Sequence, residues 1–298
     1  MAEPPVGLRR WARLVFGAVG AGFLLVALVR QWDQVRDNLE VSVPRLGVGL
    51  LLTVLSIIAL AQAWAILLPA SNDRRTMRRI FYIAQPAKYI PGGFAQPIGQ
   101  VALTAEKGVR VGLSVTAFVI HALAGLVAAA GLGAGVALVS DVPTWLRLVA
   151  LAGVIAPLVL WRPVLLLAVR VVFRLSRREL SEDLVPRQRA IVVAFGWALA
   201  GVLGTAVAFA TIGATSLAAP GWEMVVAFSF AFTIGYLAVP FPSGIGIREG
   251  VLALGLPSAG LATIVAISTI HRALAMTGEF LVVTATRHVW TRLRNGTQ

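Results

Sequence analysis

Long apolar runs, separated by short basic or mixed-charge stretches, set the pattern of this chain. Leu14–Val29, lengthened at its start by Trp11, is followed by a polar loop with Arg30, Asp33, Arg36, Asp37, Glu40 and Arg45. Further runs occupy Leu46–Leu68, Val111–Val139, Trp145–Trp161, Ala190–Leu217 and Leu261–Val283. Roughly 20 apolar residues cross the hydrocarbon of a bilayer, so these six runs predict six transmembrane helices. Two other apolar stretches, 80–105 and 224–256, are broken in the middle. The first contains QPAKYIPGGFAQPIGQ (Gln85–Gln100) and the second PFPSGIGIREG (Phe241–Gly250). Pro and Gly interrupt a helix, and irregular backbone at membrane depth is tolerated only where protein or a water-filled cavity surrounds it. The pattern therefore predicts two re-entrant hairpins, turning at Pro91-Gly92-Gly93 and Pro242-Ser243-Gly244.

The two stretches match each other. Phe81 and Phe232 each lie ten residues before the turn proline, and Ile83 and Ile234 eight before it. Ile120-His121-Ala122-Leu123 follows the first hairpin much as Ile270-His271-Arg272-Ala273-Leu274 follows the second. Each half reads span, span, hairpin, span: residues 11–139 with hairpin 80–105, then 145–287 with hairpin 224–256. A cytoplasmic Arg-rich linker, 162–189, lies between the first and second spans of the second half. Three crossings per half give the halves opposite orientations, an inverted-repeat plan used by many transporters.

Charge agrees with this topology. With the N-terminus in the cytoplasm, the predicted inner segments hold 19 of the 26 Lys and Arg residues. Arg30, Arg36, Arg45 and Arg147 fall outside, while Lys88, Arg248 and Arg272 fall within membrane segments. Retention of Lys and Arg on the cytoplasmic side is the ordinary rule. The expectation is a single integral domain of the inner (plasma) membrane with both termini cytoplasmic. The N-terminal run resembles a signal peptide, but no small-x-small cleavage site precedes Arg30, so it reads as a retained span.

Composition narrows the class. The chain has 298 residues, 58% hydrophobic and 13% charged, against roughly a quarter charged in a soluble domain. The net charge of +13 then reflects loops beside anionic lipid rather than nucleic acid. Cysteine is absent, which excludes disulfides and thiolate metal sites, and the three histidines are far apart. No cofactor or metal is expected.

Ionisable groups inside a bilayer are candidates for function. Lys88 lies just before the first turn; Arg248 and Glu249 lie just after the second. Ser268, His271, Arg272, Ala275 and Glu279 recur at helical spacing and predict one inward stripe on the last span. Gln96 and Gln100 are four apart on the second arm of the first hairpin. Both second arms start after Gly-containing turns, presenting unpaired N–H groups and a positive dipole end. With Lys88, Arg248 and Arg272 these predict a buried site that prefers an anion, with phosphate the obvious one. Plainer readings stand beside this: an Arg248 bridge to Glu249 or Glu279, a snorkelling Lys88, and His121 as a packing residue.

KYIPGGFAQPIGQ, followed about 150 residues later by PFPSGIGIREG, resembles the flippase-like transmembrane domain of lysylphosphatidylglycerol synthases and their stand-alone relatives. The resemblance covers nearly the whole chain. It implies an all-α polytopic domain that moves lipids between leaflets: aminoacylated phosphatidylglycerol in full-length synthases, polyprenyl-phosphate-linked glycan intermediates in other relatives. By motif match, Lys88, Tyr89, Pro91, Gly92 and Gly93, and then Pro242, Gly244, Gly246, Arg248 and Glu249, take the central positions. Ser243 stands where glycine is usual and Gln100 where a basic residue is common. The chain ends without an aminoacyl-transferase domain, so synthesis of the aminoacylated lipid is not expected of it. The resulting expectation is a non-enzymatic, flippase-like transporter of an anionic-headed phospholipid or polyprenyl phosphate. Its expected partners are membrane lipids and envelope-biosynthesis enzymes. The alternatives are a membrane transferase using His271 and Glu279 on a lipid phosphate, and a non-transporting scaffold.

Overall fold

A computed structural model describes residues 40–69, 71–89, 95–139, 184–237 and 246–295, with isolated positions between 167 and 174. The first and fourth predicted spans lie outside the described residues, as do the predicted turns with Pro91, Gly92, Gly93, Pro242 and Gly244. Every element among the described residues is helical. The order is α1 (Val43–Ile66), α2 (Arg74–Ala84), a 3-10 turn (Gln85–Tyr89), α3 (Ala95–Ala105) and α4 (Val111–Val139). Then come α5 (Gln188–Gly213), α6 (Gly221–Leu237), α7 (Ile247–Gly255) and α8 (Leu261–Asn295). Among the described residues, four helices are long and apolar enough to cross a bilayer: α1, Val111–Gly135 of α4, α5 and Leu261–Thr286 of α8. Their outward side chains are apolar, with Leu51, Leu55, Val192, Trp197 and Phe280 exposed. That is the surface lipid requires, and the chain is a multi-pass α-helical membrane protein.

Helices α1 and α5 form the antiparallel centre. Glu40 N–H donates to Ser216 Oγ at 3.1 Å, Gly49 faces Ile212, Ser56 faces Gly204, and Ala63 packs with Ala198. The sum of paired residue numbers stays nearly constant, as antiparallel packing requires. The approach is close because small residues line it: a Cβ on Gly204 would stand 2.5 Å from Ser56 Oγ, and one on Gly201 2.7 Å from Leu60 Cγ. Small residues let helix backbones meet where lipid supplies no hydrophobic drive between helices.

Each of the other two pairs folds back on itself. Asn72 Nδ2 reaches Lys107 O at 3.5 Å, while Gln96 Nε2 donates to Gln85 Oε1 at 2.5 Å and Gly99 faces Ala84. So α2 and α3 run antiparallel, with their outer ends together. In the second pair, Ser258 Oγ reaches Ala218 O at 3.5 Å, Gly255 faces Ala227, and Arg248 lies over Phe228 and Phe232. At 1.5 Å per residue, the 11-residue α2 and α3 and the 9-residue α7 span only about 14–17 Å, too little to cross.

The pairs open at opposite ends of the α1/α5 centre. Arg74, at the start of α2, donates to the carbonyl oxygens of Ala65 and Leu68 at the end of α1. The second pair opens beside Leu217 and Met224, packed with Ile212 at the end of α5 and with Val41 and Leu46 at the start of α1. Two cores result. One, with Trp64, Met77, Phe81, Ile120 and Ile191, surrounds the first pair. The other, with Phe209, Phe228, Leu252, Ile264 and Ile267, surrounds the second.

Some boundaries differ from those the sequence suggested. The first arm starts at Arg74, not at residue 80, so the arginine-rich segment read as a loop is a helical turn and more. Asp73 is the reason: its carboxylate accepts the N–H groups of Arg75 (3.2 Å) and Thr76 (2.9 Å). Met77, Ile80, Phe81 and Ala84 then bury one face, while Arg75 is exposed, Arg74 caps α1 and Arg78 donates to Gln62 of α1. The Thr76 hydroxyl and these N–H groups hold the Asp73 carboxyl below its ordinary value. Asp73→Ala should destabilise the protein by about 0.5–2 kcal/mol, read by denaturation in detergent. Because the folded-state value is lowered, the cap's contribution is present above the ordinary carboxylate range and fades as pH falls through it. The last helix, taken to end at Val283, continues to Asn295.

Candidate functional site

The charged groups that the pattern left inside the membrane meet along one face of α8. Glu279 is 3% exposed and pairs through Oε1 with Lys88 Nζ, which comes from the 3-10 turn after α2. Two helical turns earlier, Arg272 Nη2 meets Glu249 Oε1 at 2.6 Å. Glu249 is 1% exposed, and its other oxygen accepts the Gly246 N–H at 2.8 Å. Gly246 has φ of 87°, a left-handed conformation that glycine adopts at little cost. The turn into α7 therefore brings the Glu249 carboxylate back over the helix N-terminus, where the dipole favours it.

Arg248 points the other way. Its guanidinium carbon lies 4.0 Å from the Phe228 ring centroid and 5.7 Å from that of Phe232, within cation–π range. Adjacent residues on a helix do not share a face, so Glu249 takes Arg272 as its partner. His271 is buried edge-on against Phe209 (5.9 Å) and Phe228 (5.0 Å). Arg248, Arg272 and Lys88 all lie close enough to the His271 ring to act on it electrostatically.

Buried polar atoms without hydrogen-bond partners include Ser268 Oγ, His271 Nε2, Glu279 Oε2 and both amide atoms of Gln100. Similar atoms occur on α1 (Trp64 Nε1) and α4 (Thr116 Oγ1, His121 Nδ1), so they are spread through the interior and are not confined to this site. Gln100 sits apart, beside the buried Thr104–Ser114 hydroxyl pair between α3 and α4.

The structure thus brings together Lys88, Gly246, Arg248, Glu249, His271, Arg272 and Glu279, with Gln96 on Gln85 nearby and Gln100 separate. Tyr89 lies in the 3-10 turn, and Pro91, Gly92, Gly93, Pro242 and Gly244 lie outside the described residues. Reading the sequence alone missed Phe209, Phe228 and Gln85. Phe228 carried a signal: it lies four residues before Phe232 and so on the same helical face.

The rings also repeat. Trp64, Phe81 and His121 stack in sequence at 5.9 and 5.4 Å; Phe209, Phe228 and His271 do so at 4.8 and 5.0 Å. Each trio takes one ring from a central span, one from the arm that follows, and a histidine from the next span.

Fold and site together define a polytopic α-helical membrane domain in which buried ion pairs join one face of α8 to both folded-back helix pairs. The sequence matches the lysylphosphatidylglycerol synthase transmembrane region over residues 11–282. The chain belongs to that family. A comparison with curated proteins finds no significant match.

Proposed function

We propose that this protein moves an anionic-headed lipid, a phospholipid or a polyprenyl phosphate, between the leaflets of the inner membrane. The observation that carries the reading is the gathering of Lys88, Arg248 and Arg272 about one buried face of α8, where Lys88 and Arg272 hold the carboxylates of Glu279 and Glu249 and the Arg248 guanidinium lies over the Phe228 ring. Family membership supports a role with membrane lipids. The folded-back pairs act as re-entrant hairpins, and the chain as an inverted repeat of two halves. Supporting this are the opposite ends at which the pairs open and the two matching ring trios. The Arg-rich end of the molecule, with Arg74, Arg75, Arg187 and Arg189, faces the cytoplasm, as do both termini. Transport fits better than lipid-phosphate transfer. His271 is enclosed by phenylalanine rings, and eight residues along α8 set it about 12 Å from Glu279, too far for one acid–base pair.

The test is a leaflet-accessibility assay in proteoliposomes carrying a fluorescent phosphatidylglycerol or a polyprenyl phosphate. Purified protein should expose inner-leaflet probe to an external quencher, and empty liposomes should not. Arg248→Gln should slow exposure about tenfold or more, a loss of about 1.4 kcal/mol or more. It should still fold, because Glu249 keeps Arg272 and Gly246 N–H, and Glu279 keeps Lys88. Exposure at the empty-liposome rate with both lipids would overturn the transport reading.

A further inference from the structure

We propose that anion binding at Lys88 is coupled to uptake of one proton by Glu279, so that lipid and proton move together. The inference rests on the transport reading and deepens it by naming the co-transported ion. It starts from a difference between two buried carboxylates. Glu249 has both oxygens occupied, one by Arg272 and one by the Gly246 N–H. A lipid phosphate that draws Arg272 away leaves Glu249 at its helix N-terminus with the backbone still bonded. Glu279 has no such reserve. Its Oε1 is held by Lys88, and its Oε2 is buried with no partner.

Among the described residues, the other charged groups on the helices around Glu279 are engaged elsewhere. Gly278, beside it, packs against Thr53, Val54 and Ile57 of α1, none of them ionisable. On α2, Arg78 donates to Gln62 Oε1 at 3.0 Å and Tyr82 lies in the core around the first pair. On α7, Glu249 is engaged with Arg272, and Arg248 lies over Phe228. On α8 itself, His271 is turned into the Phe209 and Phe228 rings. Helix α5 meets α8 through Phe209, against His271, and through Gly213, beside Ile267. When a phosphate takes Lys88, Glu279 is left as an unpaired carboxylate in a dry interior, which the bilayer penalises.

The balance is simple. Before binding the pair is Lys88 ammonium and Glu279 carboxylate. Afterwards it is Lys88 ammonium with the lipid phosphodiester, and Glu279 carboxylic acid, the proton coming from water onto Oε2. Lys88 provides the route, since its side chain is one-third exposed while that of Glu279 is buried. A singly charged phosphodiester carried with one proton is electroneutral. A pH gradient drives such movement and a membrane potential does not. The linkage has a definite sign: apparent affinity for the anion rises about tenfold for each pH unit by which pH falls, over the range in which the unoccupied Glu279 is ionised.

Two measurements test this on the full chain in detergent. The first is calorimetric titration with short-chain phosphatidylglycerol, whose phosphodiester does not itself titrate near neutral pH, in buffers of different ionisation heat. The expected result is uptake of about one proton per lipid bound, and about none in Glu279→Gln. The second needs no lipid: infrared difference spectra between Lys88→Met and Lys88→Met/Glu279→Gln at neutral pH. Lys88→Met removes the partner as the anion would, and a protonated-carboxyl C=O band present only when Glu279 is retained is expected. Phosphatidylglycerol bound with no proton uptake overturns the coupling and leaves the transport reading standing. The infrared band without any binding of phosphatidylglycerol supports Glu279 as the proton site and counts against the anion site. Absence of the band overturns the proposal whatever the calorimetry shows.

Discussion

Glu249→Ala should lower the stability of the protein in detergent by about 3–5 kcal/mol, the largest loss expected from a single side chain in the site. The substitution leaves the Arg272 guanidinium, now unpaired, in a largely buried position, and it frees the Gly246 N–H at the start of α7. Glu279→Ala should cost less, although Glu279 is almost as buried. Its partner Lys88 is one-third exposed on a flexible stem and can turn its ammonium toward water or head groups. Chemical or thermal unfolding of the two variants compares them directly. Glu249→Gln/Arg272→Gln should recover most of the loss, since removing both charges leaves no buried ion. Equal losses for Glu249→Ala and Glu279→Ala would mean that the partner's access to water does not govern either pair.

The second large effect is steric. Gly133→Ala should destabilise by about 1–3 kcal/mol, while Gly131→Ala, two residues earlier on the same helix, should be neutral or stabilising by about 0.5–1 kcal/mol. A Cβ on Gly133 would stand 2.9 Å from both Cα and N of Phe230, and backbone cannot rotate away as a side chain can. A Cβ on Gly131 meets nothing within 4 Å. The displaced element is α6, which carries Phe228 and Phe232 beneath Arg248. Transport should therefore fall with stability in Gly133→Ala. Paired unfolding and leaflet-accessibility measurements on the two variants decide the matter; similar behaviour at both glycines would contradict the close α4–α6 crossing.

The crossing helices were legible without coordinates. The predicted Leu46–Leu68, Val111–Val139, Ala190–Leu217 and Leu261–Val283 coincide within a few residues with the starts of α1, α4, α5 and α8. Transfer of a helix into hydrocarbon sums over consecutive residues, so a local run carries the information. The breaks were legible for the same reason: neither stretch offers an unbroken apolar run, and α2, α3 and α7 are too short to cross. The start of α2 was not read from the four arginines between residues 74 and 79. It was present in the Asp73 cap and in the spacing of Met77, Ile80, Phe81 and Ala84.

That charged residues inside the membrane would gather was a consequence of sequence alone, because an isolated charge at that depth is too costly to leave scattered. Which charge met which was decided by the tertiary structure. Glu249 lies next to Arg248 in the chain, yet bonds Arg272, 23 positions away, because neighbours on a helix diverge by about 100°. Lys88 and Glu279 are 191 positions apart and meet because the first folded-back pair inserts beside α8. The difference between the two carboxylates, one with both oxygens bonded and one with an oxygen left over, exists only in that packing. Each side chain's partners come from separate helices, and their approach depends on glycine crossings and turn geometry that no local pattern of residues encodes.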